Sequence, residues 1–360
     1  MASDGVDWDA FLALAERHGL RPLAHRALEG AGVAPPHGVA RALWIAHAGR
    51  AQRNRAAAAE LERLVRALDA AGIACIPYKG PTLALAAYGD VGLREFGDLD
   101  VLVRPGEIMA AKAVLASLGY EPEFKISAEA EHSLLHAREH YHLVMRGPGG
   151  AIVELHWHSD PDFPVERDDD AWWSGRRAFS PDELMLVLLI HGSKHHWMSL
   201  HWLADVAALA RRERIDWAWV ANRARELHCR RRVAVGVALA RSLLGAPIPA
   251  EPGLAAGPRD EALAATFARE AFGSEAKTPA LRLLARNAAL YDLPRHRLRH
   301  AAEAVFAPTY AEWTRWRLPR ALFFLYLPLR LARLTAKHLL PHSRSIATPR
   351  TPPPRPNSRG

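Results

Sequence analysis

Two aspartates, Asp98 and Asp100, stand one residue apart at the head of the apolar run 98–103. In a β-strand, residues i and i+2 point to the same side, so both carboxylates would lie on one face. Adjacent carboxylates repel each other, and a divalent cation relieves that repulsion. Mg²⁺ favours carboxylate oxygens together with substrate phosphates, and two such ions suit an in-line displacement. The pair predicts half of a site for two Mg²⁺ ions, with Mn²⁺ as a substitute; the alternative is an ordinary solvated strand end.

A third carboxylate, Glu154, lies inside the apolar run 153–157. An unpaired carboxylate buried in such a run is costly. A neighbouring strand would bring Glu154 to Asp98 and Asp100 and complete the metal site. The alternative is that Glu154 alternates outward with His156 and His158 onto a solvated face.

The apolar run 73–78 is followed by Lys79 and Gly80, where a helix is expected to begin. Glycine lets backbone approach a ligand closely, and the first turn of a helix offers unpaired N–H groups to a phosphate. We therefore predict a phosphate cradle at Gly80, which includes Thr82 and receives positive charge from Lys79. The sequence contains no GxxxxGK[ST] loop, so this is not a P-loop. Arg94, just before the carboxylates, is either a further phosphate ligand or a surface arginine.

His191, Lys194 and His195 recur at spacings of three and four within a predicted helix over 184–198, which places them on one face. Lys194 would reach a triphosphate as a point charge. The two histidines would line a polar interface or bind zinc, although no HExxH glutamate accompanies them. Asp205, in the next helix, is predicted to orient a neighbour or to satisfy a buried polar contact.

The elements that must position these residues alternate between short apolar runs and longer helical patterns. The predicted helices cover 7–30, 38–71, 81–88, 107–118, 184–198, 216–245 and 259–290, with another around 203–209. The predicted strands cover 73–78, 98–103 and, in the strand-rich segment 124–158, two hairpin arms around a turn at 147–150. We expect an α+β fold with an N-terminal helical segment (1–72), an α/β core (73–180), a helical region packed on it (181–245), C-terminal helices (259–340) and a disordered tail (341–360).

Composition sets broader limits on the protein class. The 360 residues are 49% hydrophobic and carry a net charge of +8. That charge suits anionic partners, or else follows from an arginine-rich composition. Cys75 and Cys229 form no CxxC, which favours a reducing compartment, and no signal peptide or transmembrane segment is predicted. We expect a cytoplasmic protein.

The basic and aromatic segment 313–340 has two predicted placements. It would dock on the core as a helix hairpin broken at Pro328, or it would lie on an anionic membrane surface as a peripheral contact.

The ordered set of motifs resembles the family of uncharacterised nucleotidyltransferases of the polymerase-β nucleotidyltransferase superfamily. The resemblance covers roughly residues 8–240 and is carried by Tyr78-Lys79-Gly80, Tyr88, Leu93-Arg94, the runs 97–103 and 153–157, and His191, Lys194, His195, Trp202 and Asp205. It implies a small mixed sheet flanked by helices, with Gly80 at the nucleotide phosphates. It also implies that Asp98, Asp100 and Glu154 are Mg²⁺ ligands, with Glu154 a candidate for activating the acceptor hydroxyl.

Three hypotheses follow for the function. The first is a Mg²⁺-dependent nucleotidyltransferase that uses a nucleoside triphosphate and an acceptor that is a small molecule, a peptide or protein, or RNA. The second is a catalytically silent nucleotide-binding or regulatory protein. The third is a zinc or manganese hydrolase that uses His156, His158, His191 and His195.

Overall fold

A computed structural model describes residues 5–135, 137, 140–273 and 279–339. The helices are α1 (Trp8–Arg17), α2 (Arg21–Gly30), α3 (His37–Ala70), α4 (Gly80–Tyr88), α5 (Ile108–Ser117), α6 (Ala128–Leu135), α7 (Asp170–Trp173), α8 (Pro181–Lys194), α9 (Leu200–Arg212), α10 (Trp217–Glu226), α11 (Arg230–Leu244), α12 (Pro258–Phe272), α13 (Ala280–Ala289), α14 (Pro294–Phe306), α15 (Tyr310–Arg315) and α16 (Tyr326–Leu339). The strands are β1 (Cys75–Pro77), β2 (Leu99–Val103), β3 (Glu121–Pro122), β4 (His142–Arg146) and β5 (Ile152–His156). Short 3-10 helices lie at Val91–Leu93, Pro105–Glu107, Pro148–Gly150, Pro252–Leu254 and Arg320–Leu325.

The five strands form one mixed sheet in the order β1-β2-β5-β4-β3. Strands β2 and β5 run parallel, whereas β1 with β2, β4 with β5 and β3 with β4 are antiparallel. The register places Asp100 opposite Glu154 and Leu102 opposite His156. The predicted α+β fold with a small mixed sheet flanked by helices is confirmed, and so is the hairpin around 147–150.

The two faces of the sheet pack against different layers of helices. Leu99, Val101 and Val103 belong to a core with α3 and α5, whereas Leu102 belongs to a larger core with α8, α9 and α11. This division follows the period of two along β2. Asp100 therefore leaves the sheet on the side of the later helices.

Helix α8 has well-defined ends. A capping box between Ser180 and Glu183 fixes its start. At its other end the chain turns back, and the indole of Trp197 fills the space beside two glycines, Gly192 and Gly236, where a Cβ atom would overlap the ring. Lys194 is the last residue of the helix, so a packed aromatic ring anchors the chain directly after it.

Several predicted elements need correction. The segment 124–158 contains helix α6, whose alanine and glutamate residues favour helix, besides its strands. The helix predicted over 184–198 ends at Lys194, and His196 and Trp197 have positive φ. The helix predicted over 216–245 is two helices, separated where His228 has a φ of 57°. The segment predicted as one helix over 259–290 contains α12 and α13, with residues between them outside the described ranges.

The described part of the segment 313–340 docks on the protein. The side chains of Trp313 and Tyr326 are buried against Ala130, and Arg330 donates to the carbonyl oxygens of Ala304 and Val305. Pro328 lies in the first turn of α16, where proline is tolerated, so the predicted break at Pro328 is wrong. The tail 341–360 lies outside the described residues. Across the described residues, no helix combines the length and the apolar character needed to cross a membrane.

Candidate functional site

A cavity of about 840 Å³ opens over the part of β2 and β5 that carries Asp100 and Glu154. Its walls come from α1, α3, the loop before β2, β4 and the helices α8 and α9. Of the residues predicted from the sequence, those that line it are Lys79, Arg94, Asp98, Asp100, Glu154, His191, Lys194 and His195. Gly80, Thr82, His156 and Asp205 are not among the described residues that line the cavity.

The parallel pairing of β2 and β5 brings two carboxylates together at the floor of this cavity. Asp100 and Glu154 are register partners, and their side chains form a cluster with His156 in which one ligand atom from each lies within 4.8 Å of the others. Asp100 is 3% exposed, whereas the Glu154 side chain is 25% exposed and reaches the cavity. The predicted approach of a later strand therefore places Glu154 beside Asp100.

Asp98 lines the same cavity but precedes β2. Its ligand atoms are not in the cluster found among the described residues. Burial, together with the charges of Asp100 and Glu154, raises the pKa of Asp98 to about 6. The negative charges of Asp100 and Glu154 thus add to burial in disfavouring the ionised form of Asp98.

Two basic side chains already contact Asp100. The Nζ atom of Lys79 lies 2.7 Å from Oδ1 of Asp100, and Nε2 of His156 lies 3.2 Å from the same oxygen. Although burial opposes it, the Lys79 ammonium and His156 hold the pKa of Asp100 well below its usual range. His156 is also 3.3 Å from Oε2 of Glu154 and lowers the pKa of that carboxyl against the effect of burial. Both carboxylates are ionised at neutral pH.

The carboxylate oxygens at the floor of the cavity fit a divalent cation that is held by oxygen ligands. Nε2 of His156 faces an oxygen from each carboxylate, and as a donor to them it would orient Asp100 and Glu154. Nδ1 of His156 is buried without a hydrogen-bond partner among the described residues. Asp100 and Glu154, with Asp98 beside them, offer the hard oxygen ligands that Mg²⁺ prefers. Burial and the charges of Asp100 and Glu154, which raise the pKa of Asp98, would both be offset by a bound cation.

The predicted cradle at Gly80 has the backbone of a tight turn. Gly80 begins α4 with a φ of 52°, and a Cβ atom there would lie 3.1 Å from the carbonyl oxygen of Asp98. The backbone of Gly80 thus packs against the residue that enters β2. Its position couples the start of α4 to the loop that carries Asp98.

Gly80→Ala is expected to lower the free energy of unfolding by about 1–2 kcal/mol, because alanine is strained at this φ. Urea unfolding followed by circular dichroism would measure the change. Gly97→Ala is the control, since Gly97 lies in the loop before β2 and a Cβ atom there meets nothing within 4 Å. Equal stabilities of the two variants would contradict the strain at Gly80.

Arg94 is anchored by Asp205 from the later helical region. Its Nε atom lies 3.1 and 3.0 Å from the two oxygens of Asp205, and the hydroxyl of Tyr88 donates to Oδ1 of Asp205 at 2.8 Å. Arg94 is 7% exposed and Asp205 1% exposed. Asp205 thus orients Arg94 and satisfies Tyr88, while Arg94 still contributes to the cavity wall.

The loop that carries Arg94 is tied to α3. Nδ2 of Asn54 donates to the carbonyl oxygens of Val91 and Arg94 at 2.5 and 2.8 Å. Arg50 adds bonds to Glu95 and to the carbonyl oxygen of Phe96. The long N-terminal helix therefore holds one wall of the cavity in place.

Asn54→Ala is expected to lower the free energy of unfolding by about 1–3 kcal/mol, because two carbonyl groups lose their buried donor. Chemical denaturation would measure it. Gln52→Ala, at an exposed position of the same helix, controls for the general effect of alanine in α3. A loss no larger than that of the control would mean that water replaces the amide.

The end of α8 supplies Lys194, His191 and His195 to the cavity. The Lys194 ammonium bonds to the hydroxyl of Tyr141, with Nζ 4.1 Å from the ring centroid. Burial and the charge of Lys79 hold the pKa of His191 well below its usual range, and burial lowers the pKa of His195 to about 4. His195 stacks on Trp202, with ring centroids 4.7 Å apart. Both histidines are neutral and serve as wall residues.

The structure does not assemble the predicted four-histidine site. In the described part of the chain, the only group of three or more potential metal ligands is Asp100, Glu154 and His156. Nδ1 of His158 instead contacts Glu166 at 3.2 Å. This arrangement gives no support to the zinc or manganese hydrolase.

Sequence reasoning missed the contribution of Tyr141 and His142, which line the cavity. His142 is the register partner of His156, and its Nε2 lies 3.9 Å from Glu154. Burial and the charge of His156 lower the pKa of His142 to about 3. The predicted turn at 147–150 would pair His142 with Leu155, whereas the observed register pairs Arg146 with Ile152 and so brings His142 opposite His156.

One comparison with known proteins identifies a family. No curated protein and no solved structure matches the chain. The model of a family described as uncharacterised nucleotidyltransferases matches residues 4–245, which include the sheet, the carboxylates and the helices around the cavity. The chain therefore belongs to this family of nucleotidyltransferases.

Proposed function

We propose that the protein is a Mg²⁺-dependent nucleotidyltransferase that transfers a nucleoside monophosphate from a nucleoside triphosphate to a hydroxyl acceptor and releases pyrophosphate. The observation that carries the proposal is the parallel β2–β5 register, which aligns Asp100 with Glu154 at the floor of a cavity lined by cations. Family membership supports nucleotidyl transfer in general. The carboxylate cluster supports the metal.

Each residue has a role in this proposal. Asp98, Asp100 and Glu154 would hold Mg²⁺, with Mn²⁺ as a substitute, and the bound metal would neutralise phosphate charge. The ionised Glu154 would accept the proton of the acceptor hydroxyl. The hydroxyl oxygen would then bond to the α-phosphorus while the bond from that phosphorus to pyrophosphate breaks.

The phosphate-binding groups would come from around the same cavity. Lys79, Arg94 and Lys194 line the cavity and would bind the triphosphate. Gly80, at the start of α4 and next to the lining residue Lys79, would provide the backbone cradle together with Thr82, whose N–H donates to the carbonyl oxygen of Lys79 at 3.1 Å. His156 would keep both carboxylates oriented.

A direct test uses the purified full chain with each of the four α-labelled nucleoside triphosphates and filtered cell extract. Label is expected to move into a new product with Mg²⁺ or Mn²⁺ present and to stay in the triphosphate when EDTA is added. Calorimetry measures nucleotide binding separately. The proposal is refuted if the protein neither transfers nor binds any of the four nucleotides.

One observation favours a catalytically silent nucleotide-binding protein as the second candidate. Lys79 pairs with Asp100 at 2.7 Å and thereby takes a carboxylate oxygen that a metal would use. Nucleotide binding with no turnover, in the assay above, would establish this candidate.

A peripheral membrane contact would involve the outer face of the segment 313–340. Phe324 is 69% exposed and Leu327 42% exposed, close in sequence to Arg320. Co-sedimentation with anionic liposomes, compared between the wild type and Phe324→Ser, would test it. This contact would be ruled out if the wild type and Phe324→Ser sediment with liposomes to the same extent, or if neither protein sediments with them.

A further inference from the structure

A second cavity of about 440 Å³ adjoins the first. Tyr141, Lys194 and His195 line both cavities and form the wall between them. The remaining lining includes Asp160, Arg232, Asn287, Tyr291, His300 and Ala304. Its volume lies within the roughly 300–1,000 Å³ that is usual for small-molecule sites.

Arg232 is the most unusual residue in this second cavity. It is 4% exposed, and its Nε atom is buried without a hydrogen-bond partner in the described part of the chain. Nη1 lies 3.2 Å from the Ser193 hydroxyl, and the guanidinium carbon lies 5.0 and 4.7 Å from the ring centroids of Phe163 and Tyr291. No carboxylate of the described residues forms an ion pair with it. A buried guanidinium held by rings and a hydroxyl lacks the anion that normally offsets its desolvation.

The charges near Arg232 leave room for an anion. Lys194, at the shared wall, bonds to Tyr141 and forms no ion pair within the described ranges. Asp160 is 6% exposed, and its Oδ1 accepts the backbone N–H groups of Asp162 and Phe163, both at 3.0 Å.

Three lysine or arginine side chains and three carboxylates line this cavity. Asp162 and Glu303 pair with Arg299, and Arg330 pairs with Glu312. Lys194 and Arg232 therefore remain without an ion pair in the described part of the chain, and Asp160 is partly used by backbone. Guanidinium groups bind phosphate and carboxylate through charge-assisted hydrogen bonds.

The two walls of this cavity have different origins. Asp160, Lys194 and Arg232 lie within the residues that the family model matches, which end at 245. Asn287, Tyr291, His300 and Ala304 come from α13, the segment that follows it and α14, beyond that match. The second cavity is therefore closed by a part of the chain that lies outside the family's matched region.

We propose that the second cavity binds the acceptor, and that the acceptor is a small hydroxyl compound carrying a phosphate or carboxylate group that pairs with Arg232. This inference rests on the proposed nucleotidyl transfer. The shared wall at Lys194 places such a compound next to the cavity that holds Glu154, so its hydroxyl can face the nucleotide. The cavity is too small for a folded protein or an RNA duplex, and the C-terminal helices would set which compound fits.

The test measures the binding of three small anions, inorganic phosphate, glycerol 3-phosphate and citrate, to the full chain by calorimetry. Ala304→Trp places a large ring in the second cavity, and Val305→Trp adds the same ring at the adjacent position, which does not line it. Arg232→Gln removes the charge, and Arg232→Lys retains it. We expect at least one anion to bind the wild type and Val305→Trp, and Ala304→Trp and Arg232→Gln to weaken that binding about tenfold or more. Arg232→Lys should lose less.

The same variants are assayed for nucleotide binding and for transfer of label into filtered extract. Ala304→Trp should retain nucleotide affinity and lose transfer. The inference is overturned if no anion binds, or if Ala304→Trp binds anions and transfers label like the wild type. It is also overturned if Ala304→Trp weakens nucleotide binding as much as it weakens anion binding, which would make the cavity a pyrophosphate site. If Arg232→Gln does not fold, Ala304→Trp decides. Anion binding in a wild type that neither binds nor transfers nucleotide would instead reject the proposed function and, with it, the acceptor role.

Discussion

Asp100→Asn is expected to lower nucleotide transfer by a factor on the order of a thousand, because it removes a charge that the reacting phosphate and its metal would require. Asp100 is buried at the floor of the cavity and pairs with Lys79 and His156. Asparagine keeps an oxygen that accepts from both, so the geometry is preserved while the charge is lost. Lys79 is 8% exposed, and the amide oxygen of the variant still accepts a hydrogen bond from its ammonium group. The fold should therefore survive.

Initial rates of label transfer with saturating nucleotide would measure this loss, and circular dichroism would confirm the fold. Asp170→Asn is the control, because it removes the same charge from a side chain that is 94% exposed. Its rate should equal that of the wild type. If Asp100→Asn kept more than a tenth of the wild-type rate, Asp100 would have no direct part in transfer.

Asp205→Ala is expected to lower the free energy of unfolding by about 3–5 kcal/mol, because one partner of a buried ion pair is removed and the other stays charged. Arg94 would lose both carboxylate oxygens, and the hydroxyl of Tyr88 would lose its acceptor. The pair joins the loop before β2 to α9, so its loss also loosens the cavity wall. Urea denaturation at constant pH would measure the change.

Asp205→Asn separates charge from hydrogen bonding, because the amide oxygen still accepts from Tyr88. It should lose less stability than the alanine variant. Glu226→Ala removes the partner of Arg223 from a surface pair in which Glu226 is 63% exposed, and it should cost no more than about 1 kcal/mol. A comparable small loss in Asp205→Ala would show that water reaches Arg94 when the carboxylate is absent.

Local periodicity predicted the parts of the fold that depend on near neighbours in sequence. The alternation along 98–103 placed Leu99, Val101 and Val103 on one face and Asp100 on the other, as the two cores show. The glycine-rich turn at 147–150 predicted the hairpin. Helix α6 was missed because the flanking strand signals dominated the interpretation of 124–158, although its alanines and glutamates favour helix.

The partners of the charged side chains could not be read from the sequence. Lys79 was interpreted as a phosphate ligand, and nothing in its neighbourhood along the chain indicated that it would pair with Asp100. Arg94 had two open interpretations until the fold placed Asp205 beside it. Such pairings depend on how helices and strands that are distant in sequence pack together. The spacing of residues along the sequence carries no information on the distance between their side chains in space.

The parallel register of β2 and β5 has a consequence for which insertions and deletions the chain can tolerate. Asp100 and Glu154 meet only because two strands distant in sequence align residue for residue. The connection between them can change in length at its surface loops without moving either carboxylate, since long loops cost little extra entropy. A single residue added within β5 would turn Glu154 to the opposite face and put an apolar side chain beside Asp100. Length variation among functional relatives should therefore concentrate between residues 104 and 151 and be absent from the two strands.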